Sequence, residues 1–188
     1  MSYFRFIFLF LYFWLPITVQ AGSFDVQSLT RLLSQAERSE IQYHELRQSP
    51  WLEREWHSHG FMQVWPDFLE KKVVYPTEEA WRLYHDHIAY VSWVDGEPIE
   101  VVLDGSAQMR AFIQAIRLIV EGRLLDLRDD FNLMLSGDED QWTVILQPID
   151  QTVKRYLEKI EVRGSRALLQ ELVILEPGEE RTVTRFIE

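Results

Sequence analysis

Apolar positions change their period along the chain, and each change marks a different kind of element. Val26, Leu29, Leu32, Leu33 and Ala36 recur at helical spacing, with Asp25 placed to cap the first turn. A first amphipathic helix is predicted from about Asp25 to Arg38. From about Ile41 to Leu103 the spacing becomes that of strands, rich in Val, Ile, Tyr, Phe and Trp. Phe61 to Trp65 runs into Pro66-Asp67, and Leu69 to Tyr75 runs into Pro76. Trp81 to Tyr84 and Ile88 to Val94 flank His85-Asp86-His87. Asp95-Gly96 is a hairpin signal that leads into Ile99 to Leu103.

Asp104-Gly105-Ser106 opens a second helical stretch. Met109, Phe112, Ile113, Ile116, Ile119 and Val120 form its wide apolar stripe, with Arg110 and Arg117 falling outside it, and Gly122 stops it. A shorter helical piece is predicted from Leu124 to Asp130. Strands resume at Phe131 to Leu135, Trp142 to Gln147, Tyr156 to Val162, Leu168 to Leu175 and Arg181 to Ile187. Loops of hairpin length imply antiparallel pairing. The predicted class is α+β, with helices covering one face of a curled antiparallel sheet.

The N-terminus has a separate logic. Arg5 precedes ten unbroken apolar residues, Phe6 to Leu15, and Val19-Gln20-Ala21 offers the small residues of a cleavage site. Ten helical residues rise only ~15 Å, about half of a bilayer core. Residues 1–21 are therefore expected to be a cleaved signal peptide and residues 22–188 a single exported domain. No Cys follows the cleavage site to carry acyl chains, so the mature chain is expected to be released in soluble form.

The 188 residues contain 19 Lys+Arg against 30 Asp+Glu, a net charge of −11, which argues against nucleic acid as a partner. The absence of Cys excludes disulfides, thiolate metal sites and a Cys nucleophile. The sequence contains no nucleophile elbow, phosphate loop, His-Glu-x-x-His or dinucleotide fingerprint. His57-x-His59 and His85-x-His87 could each chelate a metal if they lie on strands, or could simply be polar strand and turn positions. Asp138-Glu139-Asp140 reads as a solvated hairpin tip. No metal or cofactor is implied. The apolar excess is more distinctive. Either it fills an ordinary core, or the sheet is too wide to fill itself and the second helix closes over an apolar cavity.

Several short motifs resemble the periplasmic outer-membrane lipoprotein carrier family, LolA, and in particular its LolA-related branch. They are Leu29-x-x-Leu32-Leu33, then Gly60-Phe61-Met62-Gln63-Val64-Trp65-Pro66-Asp67-Phe68-Leu69, and Tyr75-Pro76. Later come Trp142-x-x-x-Leu146-x-Pro148, Ile160-x-Val162, and Glu176-x-Gly178 with Thr182-x-x-x-Phe186. The resemblance implies a LolA/LolB-like fold, an unclosed antiparallel β-barrel with a helical lid. It implies a monomeric periplasmic carrier that binds lipoprotein acyl chains, or another acylated or polyene lipid. Such a carrier would pass its cargo from an inner-membrane exporter to an outer-membrane receptor.

The candidate residues of the acyl cavity and lid are Leu29, Leu32, Trp65, Leu69, Met109, Phe112, Ile116 and Ile119. Phe112, Ile116 and Ile119 are expected to form the cavity face of the lid helix. The family commonly carries an Arg where this chain has Trp65. If the side of the strand shared by Phe61, Gln63 and Trp65 is concave, the indole would latch the cavity mouth. The alternatives are an enzyme acting on a lipid-like substrate and a protein-binding adaptor.

Overall fold

In a computed structural model the described residues are 24–36, 40–94, 97–103 and 107–187. The expected signal peptide and the Asp95-Gly96 and Asp104-Gly105-Ser106 turns lie outside them. Helix α1 (Val26–Ser34) starts at Asp25, whose carboxylate accepts a hydrogen bond from the Ser28 N–H at 2.8 Å. That bond satisfies an end-of-helix donor and holds the Asp25 carboxyl below its ordinary range. Leu29 and Leu33 are fully buried on one side of α1, each contributing about 1.5–3 kcal/mol of apolar transfer. The helix ends at Ser34, short of the predicted Arg38.

Eleven strands follow in antiparallel order. They are β1 (Glu40–Gln48), β2 (Trp56–Val64), β3 (Phe68–Tyr75), β4 (Glu79–Tyr84), β5 (Ile88–Val94) and β6 (Glu97–Leu103), then β7 (Phe131–Gly137), β8 (Trp142–Pro148), β9 (Lys159–Ser165), β10 (Leu168–Glu176) and β11 (Glu180–Ile187). Helix α2 (Ala107–Val120) and a 3-10 turn at Leu124–Leu127 connect the two runs, and a second 3-10 turn, Val153–Arg155, precedes β9. Tyr156, Leu157 and Glu158, the first residues of the strand predicted from Tyr156, instead lead out of that turn, and the strand begins at Lys159.

The sheet order is β6-β5-β4-β3-β2-β1-β11-β10-β9-β8-β7. Two meanders are thus joined through β1 and β11, with Tyr43 opposite Phe186 and Glu45 opposite Thr184. β6 and β7 stand at opposite edges, so the barrel is unclosed, as expected. All seven residues of β6 are exposed, and Pro98, Glu97 and Glu100 are the kind of residues that protect a free edge.

The helices pack on the concave face. Leu29, Leu33, Ala115, Leu118 and Ile119 meet inward-facing residues of β7–β10, including Phe131, Val144, Leu146, Ile160 and Val162. On the other side, Val120 and Ile113 pack with Tyr43, Met62, Leu69 and Leu83 of β1–β4, and Ile116 touches both clusters. Trp142 anchors the β7–β10 half. Its indole N–H donates to the Arg166 carbonyl at 2.9 Å. The indole lies over Gly164 opposite, where a Cβ would come within 2.2 Å of it.

Gly122 ends α2 with φ +73°. The Gly122 N–H bonds the Ile119 carbonyl at 3.0 Å and the Arg123 N–H bonds the Leu118 carbonyl at 2.8 Å, the paired closure of a helix C-terminus on a glycine. α1 approaches so closely that a Cβ at Gly122 would meet Leu33 at 2.9 Å.

Arg117 departs from expectation. It is only 7 % exposed rather than outside the apolar stripe. Its Nε donates to Glu121 at 2.5 Å, one helical turn on, and Arg123 bonds the other oxygen of Glu121 at 3.3 Å. Removing Glu121 would leave a buried guanidinium without its carboxylate. Glu121→Ala is expected to cost about 3 kcal/mol in denaturant-induced unfolding, whereas a loss below about 1 kcal/mol would show the pair to be solvated.

Candidate functional site: a half-polar trough

The concave face carries two different linings. Along β1 the inward row is Ile41, Tyr43, Glu45 and Arg47, apolar at first and then charged. Along β3 it is Leu69, Lys71 and Val73. Leu172 and Ile174 of β10 continue the apolar wall, and Thr182 and Thr184 of β11 stand between these strands. Between these rows lies a cavity of about 230 Å³, with Met62, Leu69, Leu83, Ile116, Leu172 and Ile174 as its apolar surface. Glu45, Arg47, Lys71, Glu176, Thr182 and Thr184 line its polar side. A second cavity of about 350 Å³ shares Glu45, Arg47 and Lys71 and extends to Trp56, Glu79 and Trp81. The shared residues make the two cavities neighbouring parts of one trough.

The polar groups are organised. Lys71 Nζ bonds both oxygens of Glu45, at 2.8 and 2.7 Å, and lies 5.1 Å over the Tyr43 ring. Thr184 donates its hydroxyl to Glu45 at 2.8 Å. Arg47 pairs with Glu180 at 3.0 Å. Tyr43 is fully buried, yet its hydroxyl has no hydrogen-bond partner. Burial pushes its ionisation far above the ordinary range, and Glu45 and Glu79 add to the rise. Burial also pushes the Glu176 carboxyl up, with Arg47 pulling it partly back and Glu180 adding to the rise.

No protein-family model matches the chain, and no curated protein matches it. Among solved structures it is similar to a LolA superfamily protein from Nitrosomonas europaea, at 10 % identity and TM-score 0.43, over 87 % of this chain and 91 % of that one. It is similar to a DUF1329 family protein from Desulfovibrio piger at 9 % identity and TM-score 0.43, over 87 % and 90 %. It is also similar to LprF from Mycobacterium bovis at 10 % identity and TM-score 0.40, over 87 % and 90 %.

Of the eight residues singled out from the sequence, Leu69 and Ile116 meet in the trough. Leu29 and Ile119 are fully buried in the core between helices and sheet and line neither cavity. Leu32 borders a separate shallow depression with Phe24, Arg31 and Glu139. The side chains of Met109 and Phe112 lie outside the described residues.

Trp65 is placed differently from the latch expectation. The inward residues of β2 are Ser58, Gly60, Met62 and Val64, so Phe61 and Gln63 face the convex side, with Glu40, Glu70, Lys72 and Val74. Trp65 is 42 % exposed. It belongs to an outer aromatic row, stacked on Phe68 at 5.8 Å, with Phe68 against Tyr84 at 5.1 Å and Tyr84 against His87 at 4.3 Å. His57 and His59 are exposed, and His59 stacks on Tyr75 at 5.3 Å. Among the described residues, no group of three or more His, Asp or Glu is arranged to hold a metal ion.

Glu45, Arg47, Lys71, Glu79 and Glu176 are not among the site residues expected from the sequence, although Glu176 stands in one of its motifs. Their signal is parity. Lys71 lies between Leu69 and Val73 on the buried side of β3, and Glu45 follows Tyr43 two residues on. For Glu176 the sign of the pH effect follows from the raised pKa. Its ionised form is disfavoured in the fold, so the wild type is relatively more stable at low pH and loses that benefit as pH rises through the Glu176 titration. Glu176→Gln is therefore expected to be more stable than wild type near neutral pH. In thermal unfolding across pH, that gain should vanish once the pH falls below the ordinary carboxylate range.

Proposed function

We propose that the protein is a carrier that holds the acyl chain of an amphiphile in the trough and performs no chemistry on it. One observation carries the reading. An apolar wall built from β2, β3, β4, β10 and α2 opens directly into a charged, solvent-reaching compartment. Apolar chain burial favours the first part at about 25 cal/mol per Å², and the second can solvate a head group. The 230 Å³ of the apolar part is below the ~300–1,000 Å³ of ordinary small-molecule sites. A long chain therefore requires Ile116 and the rest of α2 to move outward, and loading is coupled to displacement of the helix.

In this reading the cargo is the acyl part of a lipoprotein or another acylated lipid. The protein acts after export and removal of the signal peptide, receiving cargo from an inner-membrane exporter and giving it to an outer-membrane receptor. The resemblance set out from the sequence supports that route. No helix among the described residues is long and apolar enough to cross a membrane. The Thr184 hydroxyl on Glu45 is the contact an enzymatic reading would use. Lys71 already engages both oxygens of that carboxylate, an arrangement suited to joining strands rather than to withdrawing a proton.

Native mass spectrometry of the purified full chain should show a population carrying a lipid-sized adduct. Ile116→Asp places a carboxylate against the apolar wall and should reduce that population at least about tenfold, with the β-sheet circular dichroism retained. Equal occupancy in wild type and variant would contradict the assignment.

A further inference from the structure

The larger compartment has a chemistry of its own. Its walls include two indoles, Trp56 and Trp81, together with the carboxylates of Glu45 and Glu79. Both cations in the trough are already committed, Lys71 to Glu45 at 2.7 Å and Arg47 to Glu180 at 3.0 Å. Glu79 lines the larger cavity without an ion pair among the described residues, and Glu176 borders the smaller one in the same condition. The trough thus holds an uncompensated negative charge beside aromatic surface.

Tyr43 packs behind the trough, against Met62, Leu69 and Leu83, and lines neither cavity. It is fully buried, and its hydroxyl has no hydrogen-bond partner among the described residues. A buried phenol is normally satisfied, because leaving its O–H unpaired costs free energy. Its ring already accepts one ammonium, that of Lys71, 5.1 Å from the centroid.

We propose that the compartment lined by Trp56, Glu79 and Trp81 selects an amphiphile with a cationic, ammonium-type head group, and that the trough discriminates against anionic lipids. Indole faces attract cations through the ring quadrupole, and an unpaired carboxylate beside them adds direct attraction. A carboxylate or phosphate head in the same place would face Glu45 and Glu79, and the two cations of the lining, Lys71 and Arg47, already pair with carboxylates. The inference rests on the carrier reading, since the chain would lie along Met62, Leu69 and Leu83, and it specifies which head group that carrier accepts.

Isothermal titration calorimetry of the full chain, freed of lipid, tests it with two probes of equal chain length, dodecyltrimethylammonium and dodecanoate, below their micelle concentrations. The ammonium probe should bind about tenfold tighter or more. Glu79→Gln should bring the two affinities to within about threefold. Asp129→Asn removes the same charge from an exposed position outside both cavities, and should leave the preference intact. Equal binding of the two probes by wild type would overturn the head-group inference and leave the carrier reading standing. So would a preference that survives Glu79→Gln or falls equally in Asp129→Asn, which would make it an effect of net charge. Binding of neither probe would overturn both.

Discussion

A sheet of eleven antiparallel strands that curls without closing has a concave face it cannot fill from its own side chains, and that constraint organises this protein. The strands of one meander bring large apolar residues to the interior, and α1 and α2 cover them. Trp142, Phe131 and Leu146 share one buried core with Leu29, Leu33 and Ile119. Around Gly164 and Gly122 even one added carbon would collide with its neighbours. The other meander is only partly covered. There α2 contributes Val120, Ile113 and Ile116, and beyond Ile116 the interior turns polar. One half of the concave face is therefore filled by the helices, and the other keeps open cavities.

Polar groups inside a trough are costly unless satisfied. Most of these are satisfied. Lys71, Glu45 and Thr184 form a closed set across β3, β1 and β11, and Arg47 meets Glu180. This set ties the two meanders together on the inner face. The exceptions are informative because the rest is orderly. Tyr43 lacks a partner for its hydroxyl, and Glu79 and Glu176 make no ion-pair contact among the described residues. Glu79 lines the larger cavity and Glu176 the smaller, while Tyr43 lies in the apolar cluster behind them.

Much of the architecture was legible in the sequence because it depends on period and turn chemistry. Alternation marked the strands, Gly122 marked the end of α2, and Asp25 marked the start of α1. What was not legible depended on which way a strand faces. The Phe61, Gln63 and Trp65 row is equally consistent with either side until the neighbouring strands are placed. The pairing of β2 with β1 and β3 puts Met62 inward and Phe61 outward, which leaves Trp65 in the convex aromatic row. Spacing alone lets Arg117 fall outside the apolar stripe of α2, but Glu121 one turn later makes its burial tolerable. The polar lining was missed for the same reason. Lys71 and Glu45 look like solvated strand residues when each is read alone, and only cross-strand register brings them together.

The central claim is that the chain of an amphiphile lies in the trough between β2–β4, β10 and α2. Photocrosslinking with a dodecyl probe that carries a diazirine near its methyl end, followed by peptide mapping, tests it most directly. The account predicts labelling of peptides containing Met62, Leu69, Leu83, Ile116 or Ile174, and loss of that labelling on competition with unlabelled probe. Competable labelling confined to the exposed β6 edge or to the convex row of Trp65 and Phe68 would contradict it.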